Sequence, residues 1–143
     1  MSEEHYRKLE KMYRGAPTNR YYEPKLTISR GAAEIIIPVK EDFFHADGAV
    51  HGSVYFKALD DAAFFAEGSL VKDVFVLTAS FHINLIRPVS SGELIARGKV
   101  VQNSRKLIVA EALLVNSKGK EVARGIGDFA RSDMPLEQTP GYA

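Results

Sequence analysis

VYFKALDDAAFFAEGSL, residues Val54 to Leu70, is the stretch whose reading decides the fold. Val54, Ala58, Leu59, Ala62, Ala63, Phe65, Ala66 and Leu70 spread around most of a helical circumference, the pattern of a helix enclosed by other elements. The alanines are small enough to let strands approach closely. Lys57, Asp60, Asp61 and Glu67 interrupt the run, so it is too polar to span a bilayer and is expected to be buried in protein. The segment Glu41 to Gly52, of mixed polarity and with two glycines, reads as a loop delivering the chain to a helix that starts near Ser53, with Ser53 as its N-cap.

Working outward, Leu26 to Ser29 and Ala33 to Ile37 are β-rich runs separated by Arg30-Gly31, which predicts a hairpin closed by Pro38. Tyr6, Leu9 and Tyr13 stand at helical spacing among charges before the breaker Gly15-Ala16-Pro17, so an amphipathic helix is expected within residues 1–15. After Asp73 come four β-rich stretches: Val74 to Ile86, Glu93 to Val101, Leu107 to Asn116 and Glu121 to Arg131. Arg87-Pro88, Ser91-Gly92, Asn103-Ser104 and Lys118-Gly119 punctuate them, which predicts a meander. The tail SDMPLEQTPGYA, residues 132–143, has two prolines and little apolar content and is expected to be loosely ordered. An apolar helix and an antiparallel sheet in one short chain are reconciled by curling the sheet around the helix, an α+β class. Such a sheet leaves an edge strand for a second subunit, so a homodimer is expected, and a dimer of dimers is compatible with it.

The 143 residues suit one domain, 1–143, with a real core. A net charge of +1 with Lys and Arg dispersed, and no aromatic-basic ribonucleoprotein motif, argue against nucleic acid as a partner. The absence of cysteine removes disulfides, thiolate metal sites and cysteine nucleophiles, and fits a reducing compartment. The charged N-terminus MSEEHYRKLEKMYRG lacks a secretory signal's apolar core. A cytoplasmic location without membrane attachment is therefore expected. His5 and His82 have no companions at ligand spacing, so no metal is expected.

The chemistry concentrates in His45-Ala46-Asp47-Gly48-Ala49-Val50-His51-Gly52-Ser53 and the following Asp60-Asp61. A glycine at a helix start lets a carbonyl oxygen approach free backbone N–H groups where the helix dipole favours developing negative charge. Asp60, about two turns in, returns to the Ser53 and Phe56 face, whereas Asp61 is rotated about 100° away. Asp61 follows Lys57 by four residues and is explained by a helical ion pair. Asp60 has no such partner, and a carboxylate on an apolar helix is costly unless it is hydrogen-bonded or functional. His51 alone reads more readily as a structural histidine that hydrogen-bonds the loop than as a catalytic base.

These residues resemble the phenylacetate-degradation thioesterase branch of the hot-dog superfamily. Its pattern is Asn-x-x-Gly-x-x-His-Gly-Gly with an Asp nine residues after the His. Gly48, His51, Gly52 and Asp60 match, and Ile86-Arg87-Pro88 followed by Gly92-Glu93 is similar to the next landmark; the resemblance spans roughly residues 25 to 131. It implies a hot-dog fold and hydrolysis of an acyl-CoA thioester at a site between two subunits, with coenzyme A entering as part of the substrate and no other cofactor. Asp60 would be general base or nucleophile, the Gly52 N–H would polarise the carbonyl, and Thr78, ten residues before Pro88, would orient water. Two positions depart from the pattern. His45 replaces the Asn and can still donate a hydrogen bond, and Ser53 replaces the second Gly. His51 and Ser53 border the substrate. The turn Ser104-Arg105-Lys106, and Arg87, suit the phosphates of the nucleotide. Phe43, Phe44, Tyr55, Phe56 and Phe64 could line an aryl pocket or simply fill the core.

The His45 and Ser53 departures motivate an alternative, a hot-dog protein that binds an acyl ligand without turnover. A hydratase of the same superfamily would pair a loop His with a helix acid. Glu67 is the spare acid, at a distance from His51 that does not fit.

Overall fold

The computed structural model describes residues 2–143; Met1, the first residue of the expected 1–15 helix, lies outside them. Helix α1 (Ser2–Gly15) and the single turn α2 (Asn19–Tyr22) precede the hairpin β1 (Lys25–Ser29) and β2 (Ala32–Pro38). Helix α3 (Gly52–Gly68) follows, and then β3 (Val74–Leu85), β4 (Glu93–Asn103), β5 (Ile108–Val115) and β6 (Glu121–Pro135). Short 3-10 turns occupy Glu41–Phe43 and Leu136–Gln138.

The six strands form one antiparallel sheet in the order β1-β2-β4-β5-β6-β3. The expected four-strand meander holds only for β4-β5-β6. β3 does not pair with β4. It crosses to the far edge and pairs with β6, because β2 takes β4's free side and β3's apolar residues are then satisfied only by the other end of the sheet.

α3 lies across β2, β4, β5, β3 and β6. Ala58, Leu59, Ala62, Ala63 and Ala66, all 0% exposed, form its contact with the sheet. The approach is so close that a Cβ on Gly98 of β4 would stand 2.2 Å from the Ala62 carbonyl oxygen, so only glycine fits there. Leu94, Ala96, Ala110, Ala112 and Leu114 complete the layer beneath, on the alternate residues that face the helix. This is the α+β hot-dog arrangement, a long central helix wrapped by an antiparallel sheet.

Two local expectations are corrected. The N-cap of α3 is His51 rather than Ser53. His51 is extended, and its Nδ1 accepts the Ser53 N–H at 3.0 Å, so the cap lies two residues earlier than the serine suggested. The tail 132–143 is not loose. β6 runs on to Pro135, Leu136 is 2% exposed with its N–H on the Asp73 carbonyl, and Tyr142 donates its hydroxyl to His5 Nδ1 at 2.7 Å. Two apolar anchors are enough to fasten a segment that its prolines made look disordered. His5 is 4% exposed and its Nε2–H reaches the Gly68 carbonyl at 2.8 Å, so the tail is tied through α1 to the end of α3.

Candidate active site

Asp60 projects from the middle of α3 toward β3. Thr78 Oγ1 donates to Asp60 Oδ1 at 2.9 Å, which places the two sequence-predicted residues together. β3 is irregular between Thr78 and Ser80, and this switches which alternate residues face the helix. Before the irregularity Thr78 faces α3; after it Phe81 packs edge-on against Phe56 and Leu85 lies against Gly52. α3 and β3 therefore run in opposite directions.

Burial is the main reason the Asp60 carboxyl is pushed up, to about 6; the Thr78 hydrogen bond opposes the rise, the Asp61 charge adds to it and Lys57 reduces it. Asp61 itself is neutralised as expected, by Lys57 Nζ at 2.7 Å. It has a second partner that the sequence did not reveal, for Tyr13 of α1 donates its hydroxyl to Asp61 Oδ2 at 2.7 Å. The Tyr13 hydroxyl is raised far above its usual value, chiefly by burial and then by the Asp61 charge, so it stays a proton donor.

Beside these groups is a cavity of about 540 Å³ lined by Asp60, Asp61, Lys57, Tyr13 and Thr78, with Phe64, Phe75 and Leu77 on its apolar side. Of the five aromatic candidates only Phe64 lines it. Phe43 and Tyr55 are core, at 2% and 3% exposure. Phe75 and Leu77 were hidden in an ordinary β pattern.

The second group of predicted residues gathers at the other end of the helix. His51 Nδ1 caps α3 and takes both the N–H and the hydroxyl of Ser53, which requires the ring proton on Nε2. Among the described residues the Gly52 N–H has no hydrogen-bond partner, so it is an open donor at a helix N-terminus. His45 is exposed in the preceding loop, where its Nδ1 accepts the Asp47 N–H at 3.1 Å. Arg87 is exposed nearby, its carbonyl accepting the Tyr55 hydroxyl at 2.8 Å.

Eight residues of helix, about 12 Å, separate Gly52 from Asp60 within one chain. The basic turn sits at the Asp60 end. Thr78 pairs with Phe129 and Phe129 with Ile108, which puts Ser104, Arg105 and Lys106 two strands from Thr78. Arg131 holds that turn through the Ser104 carbonyl at 3.1 Å. Glu67 does not belong to the site: it is 0% exposed with both carboxylate oxygens unpartnered, so it cannot meet a substrate alongside His51. Among the described residues no group of three or more His, Asp or Glu could hold a metal, and no helix is long and apolar enough to cross a membrane.

Known proteins place this geometry. The chain is 28% identical over 104 residues to a protein of Saccharolobus solfataricus provisionally named an esterase, covering 73% of this chain and 74% of that one. The structure superposes on the Escherichia coli PaaI protein of the phenylacetic acid degradation operon with a TM-score of 0.84 at 19% identity, covering 94% and 97% of the two chains. A Haemophilus influenzae thioesterase gives 0.74 at 17% identity over 85% and 87%. Residues 47–123, more than half of the sequence and including Gly52, Asp60 and Thr78, match the profile of the thioesterase superfamily, to which this chain belongs.

Proposed function

We propose that the protein hydrolyses acyl-CoA thioesters at sites shared by two subunits, with Asp60 as general base. The observation that carries this reading is the raised, Thr78-bound Asp60 at the wall of an apolar cavity. A carboxylate that gains and loses its proton near pH 6 is suited to taking one from water at neutral pH. Water held between Asp60 and Thr78 attacks the thioester carbonyl as Asp60 takes its proton. The oxygen that becomes negative needs a donor, and the free Gly52 N–H at the positive end of α3 is of the right kind. The C–S bond then breaks, and the leaving thiolate recovers the proton from Asp60. Thiolates leave readily, so no separate strong acid is called for.

Because Gly52 and Asp60 lie about 12 Å apart along α3, they serve one carbonyl only if they come from different chains. β3 is a sheet edge carrying Leu77 and Leu85 at 51% and 57% exposure, beside Ile86 at 48% and Phe56 of α3 at 41%. Such an edge is a template for pairing. Antiparallel pairing of two β3 strands about a two-fold axis near Phe81 and His82 sets the Thr78 end of one strand opposite the Leu85 end of the other. Since Leu85 packs on Gly52, Asp60 then faces the partner's Gly52. The same pairing puts the Ser104-Arg105-Lys106 turn and the partner's Arg87 on one site, where their charges suit the phosphates of coenzyme A. His45, in the loop that leads into α3, would supply a second hydrogen bond to the carbonyl through its other ring nitrogen, and His51 and Ser53 would border the thioester.

Thiol release from a panel of short, long and aryl acyl-CoAs tests the proposal. Release with saturation is expected. Saturable binding of the same esters without thiol release would make the protein an acyl-ligand binder instead.

A further inference from the structure

The cavity at Asp60 is closed by parts of the chain that the thioesterase profile does not include. The profile spans residues 47–123. Yet the wall facing Phe64, Phe75 and Leu77 is built by Met12 and Tyr13 of α1, by the link Gly15–Asn19 and by the tail residues Thr139, Pro140 and Gly141. Three observations show that this wall is built and not merely adjacent. Tyr13 is hydrogen-bonded to Asp61 at 2.7 Å, which fastens the end of α1 to α3 next to Asp60. Tyr142 is hydrogen-bonded to the buried His5, which fastens the tail to α1. Gly141 adopts a φ of 90°, and a Cβ there would lie 3.1 Å from Met12 Cα, so the tail backbone is seated directly on the helix.

Met12 has a further property. Together with Phe64 and Phe75 it lines both the 540 Å³ cavity and a void of about 10 Å³ behind it, which is otherwise walled by Leu9, Gly68, Val71, Val74, Val76 and Leu136. Met12 is therefore part of the partition between the chamber and this void. A methionine side chain, unbranched and adaptable, makes a compliant end wall. One turn further along α1, Gly15 also lines the cavity; it is exposed and a Cβ on it would meet nothing within 4 Å, so a side chain can be added there without a clash.

We infer that the two ends of the chain, meeting at Met12 and Gly141, form the size-setting wall of an acyl chamber that takes neutral, largely apolar acyl groups, with Met12 fixing how long they can be. This rests on the acyl-CoA reading of the site. The charge of Asp61 is already matched by Lys57, so the apolar side has no cation left over for an acyl group that ends in a second carboxylate. An acetyl group would leave most of the chamber unfilled.

The test uses the full-length protein and two substitutions of opposite sense. Met12→Ala opens the partition into the void behind it, and Gly15→Leu narrows the chamber. Binding of S-alkyl-CoA thioethers of increasing chain length, which have no bond to hydrolyse, is measured by titration calorimetry, alongside thiol release from acetyl-, hexanoyl- and decanoyl-CoA. The expected result is that the parent prefers hexyl or longer chains to ethyl. Met12→Ala should raise the ratio of long-chain to short-chain affinity about tenfold, and Gly15→Leu should lower it by a similar factor, as expected when a pocket gains or loses room for a methylene or more. Should Met12→Ala fail to fold, the exposed Gly15→Leu variant decides alone. Folded variants with the parent's chain-length profile would overturn the inference while leaving hydrolysis intact, and so would a parent that binds none of the thioethers. A parent that shows the chain-length preference in binding yet releases no thiol would overturn the proposed hydrolysis and leave the chamber wall standing.

Discussion

Thr78 Oγ1 and Asp60 Oδ1, 18 residues apart in sequence, meet at 2.9 Å between the edge strand β3 and the central helix α3. The bond favours the charged carboxylate, opposing the burial that disfavours it. Thr78→Val keeps the β-branched shape and deletes the bond. The expected outcome is a fall in kcat of about tenfold or more, in the range of general-base effects, with the inflection of the pH–rate profile moved above that of the parent. Stopped-flow thiol release across pH measures both. An unchanged profile would remove Thr78 from the account.

The pH dependence of the parent follows from the same group. Only ionised Asp60 accepts a proton, and burial raises its pKa to about 6. kcat/KM is therefore expected to rise with pH through about 6 and level off above it. A rise centred near 4, where an exposed Asp titrates, would mean that the base is another group or that Asp60 is solvated in the working enzyme.

Gly52 is the first residue of α3, preceded by His51 in an extended conformation, and its N–H has no partner among the described residues. Proline is well tolerated at a first helical position and requires an extended residue before it. Gly52→Pro thus deletes the proposed oxyanion donor and keeps the helix start; its Cβ would stand 3.0 Å from Leu85 Cδ1, the end of an exposed side chain that can turn aside. Activity should drop by about a hundredfold or more, while thermal denaturation shows a melting temperature close to the parent's.

Glu67 is fully buried with both oxygens unpartnered by hydrogen bonds, and burial, opposed by the Arg131 charge, pushes its carboxyl up to about 7. Between the unfolded value of 4.5 and about 7 the folded chain holds more protons than the unfolded one, so stability falls as pH rises through that window and is flat above it. Glu67→Gln removes this loss. Urea unfolding should find the variant level with the parent near pH 4 and more stable by on the order of 3 kcal/mol above pH 8. A parent–variant difference that does not change with pH would show Glu67 to be paired in solution.

Much of this architecture is legible in the amino-acid sequence because it is local. The all-round apolar pattern of Val54 to Leu70 announces the enclosed helix, Arg30-Gly31 the hairpin, and the i,i+4 spacing of Lys57 and Asp61 their ion pair. Asp60 stands out because a carboxylate on an apolar helix is costly, and its spacing from His51 gives it a family. Non-local contacts leave no such trace. The crossing of β3 to the far edge depends on which strand wins β2's free side, and the Tyr13 hydroxyl reaching Asp61 joins residues 48 apart. The tail looks loose in the sequence because its prolines are conspicuous, whereas its anchors, Leu136 and Tyr142, are single residues. His51 rather than Ser53 caps α3 because an imidazole nitrogen can take the role usually given to a hydroxyl oxygen, which moves the cap by two residues.

The central claim is that each site joins Asp60 of one subunit to Gly52 of the other, and mixed dimers test it most directly. Asp60→Asn and Gly52→Pro chains, each inactive alone, are unfolded together, refolded at equal ratio and assayed for thiol release. Half of the dimers would then be mixed, and each of these has one site with both groups intact. The account predicts recovery to about a quarter of parental activity, the statistical share for subunits that pair at random. Subunit exchange confirmed by mass, with no activity regained, would contradict it.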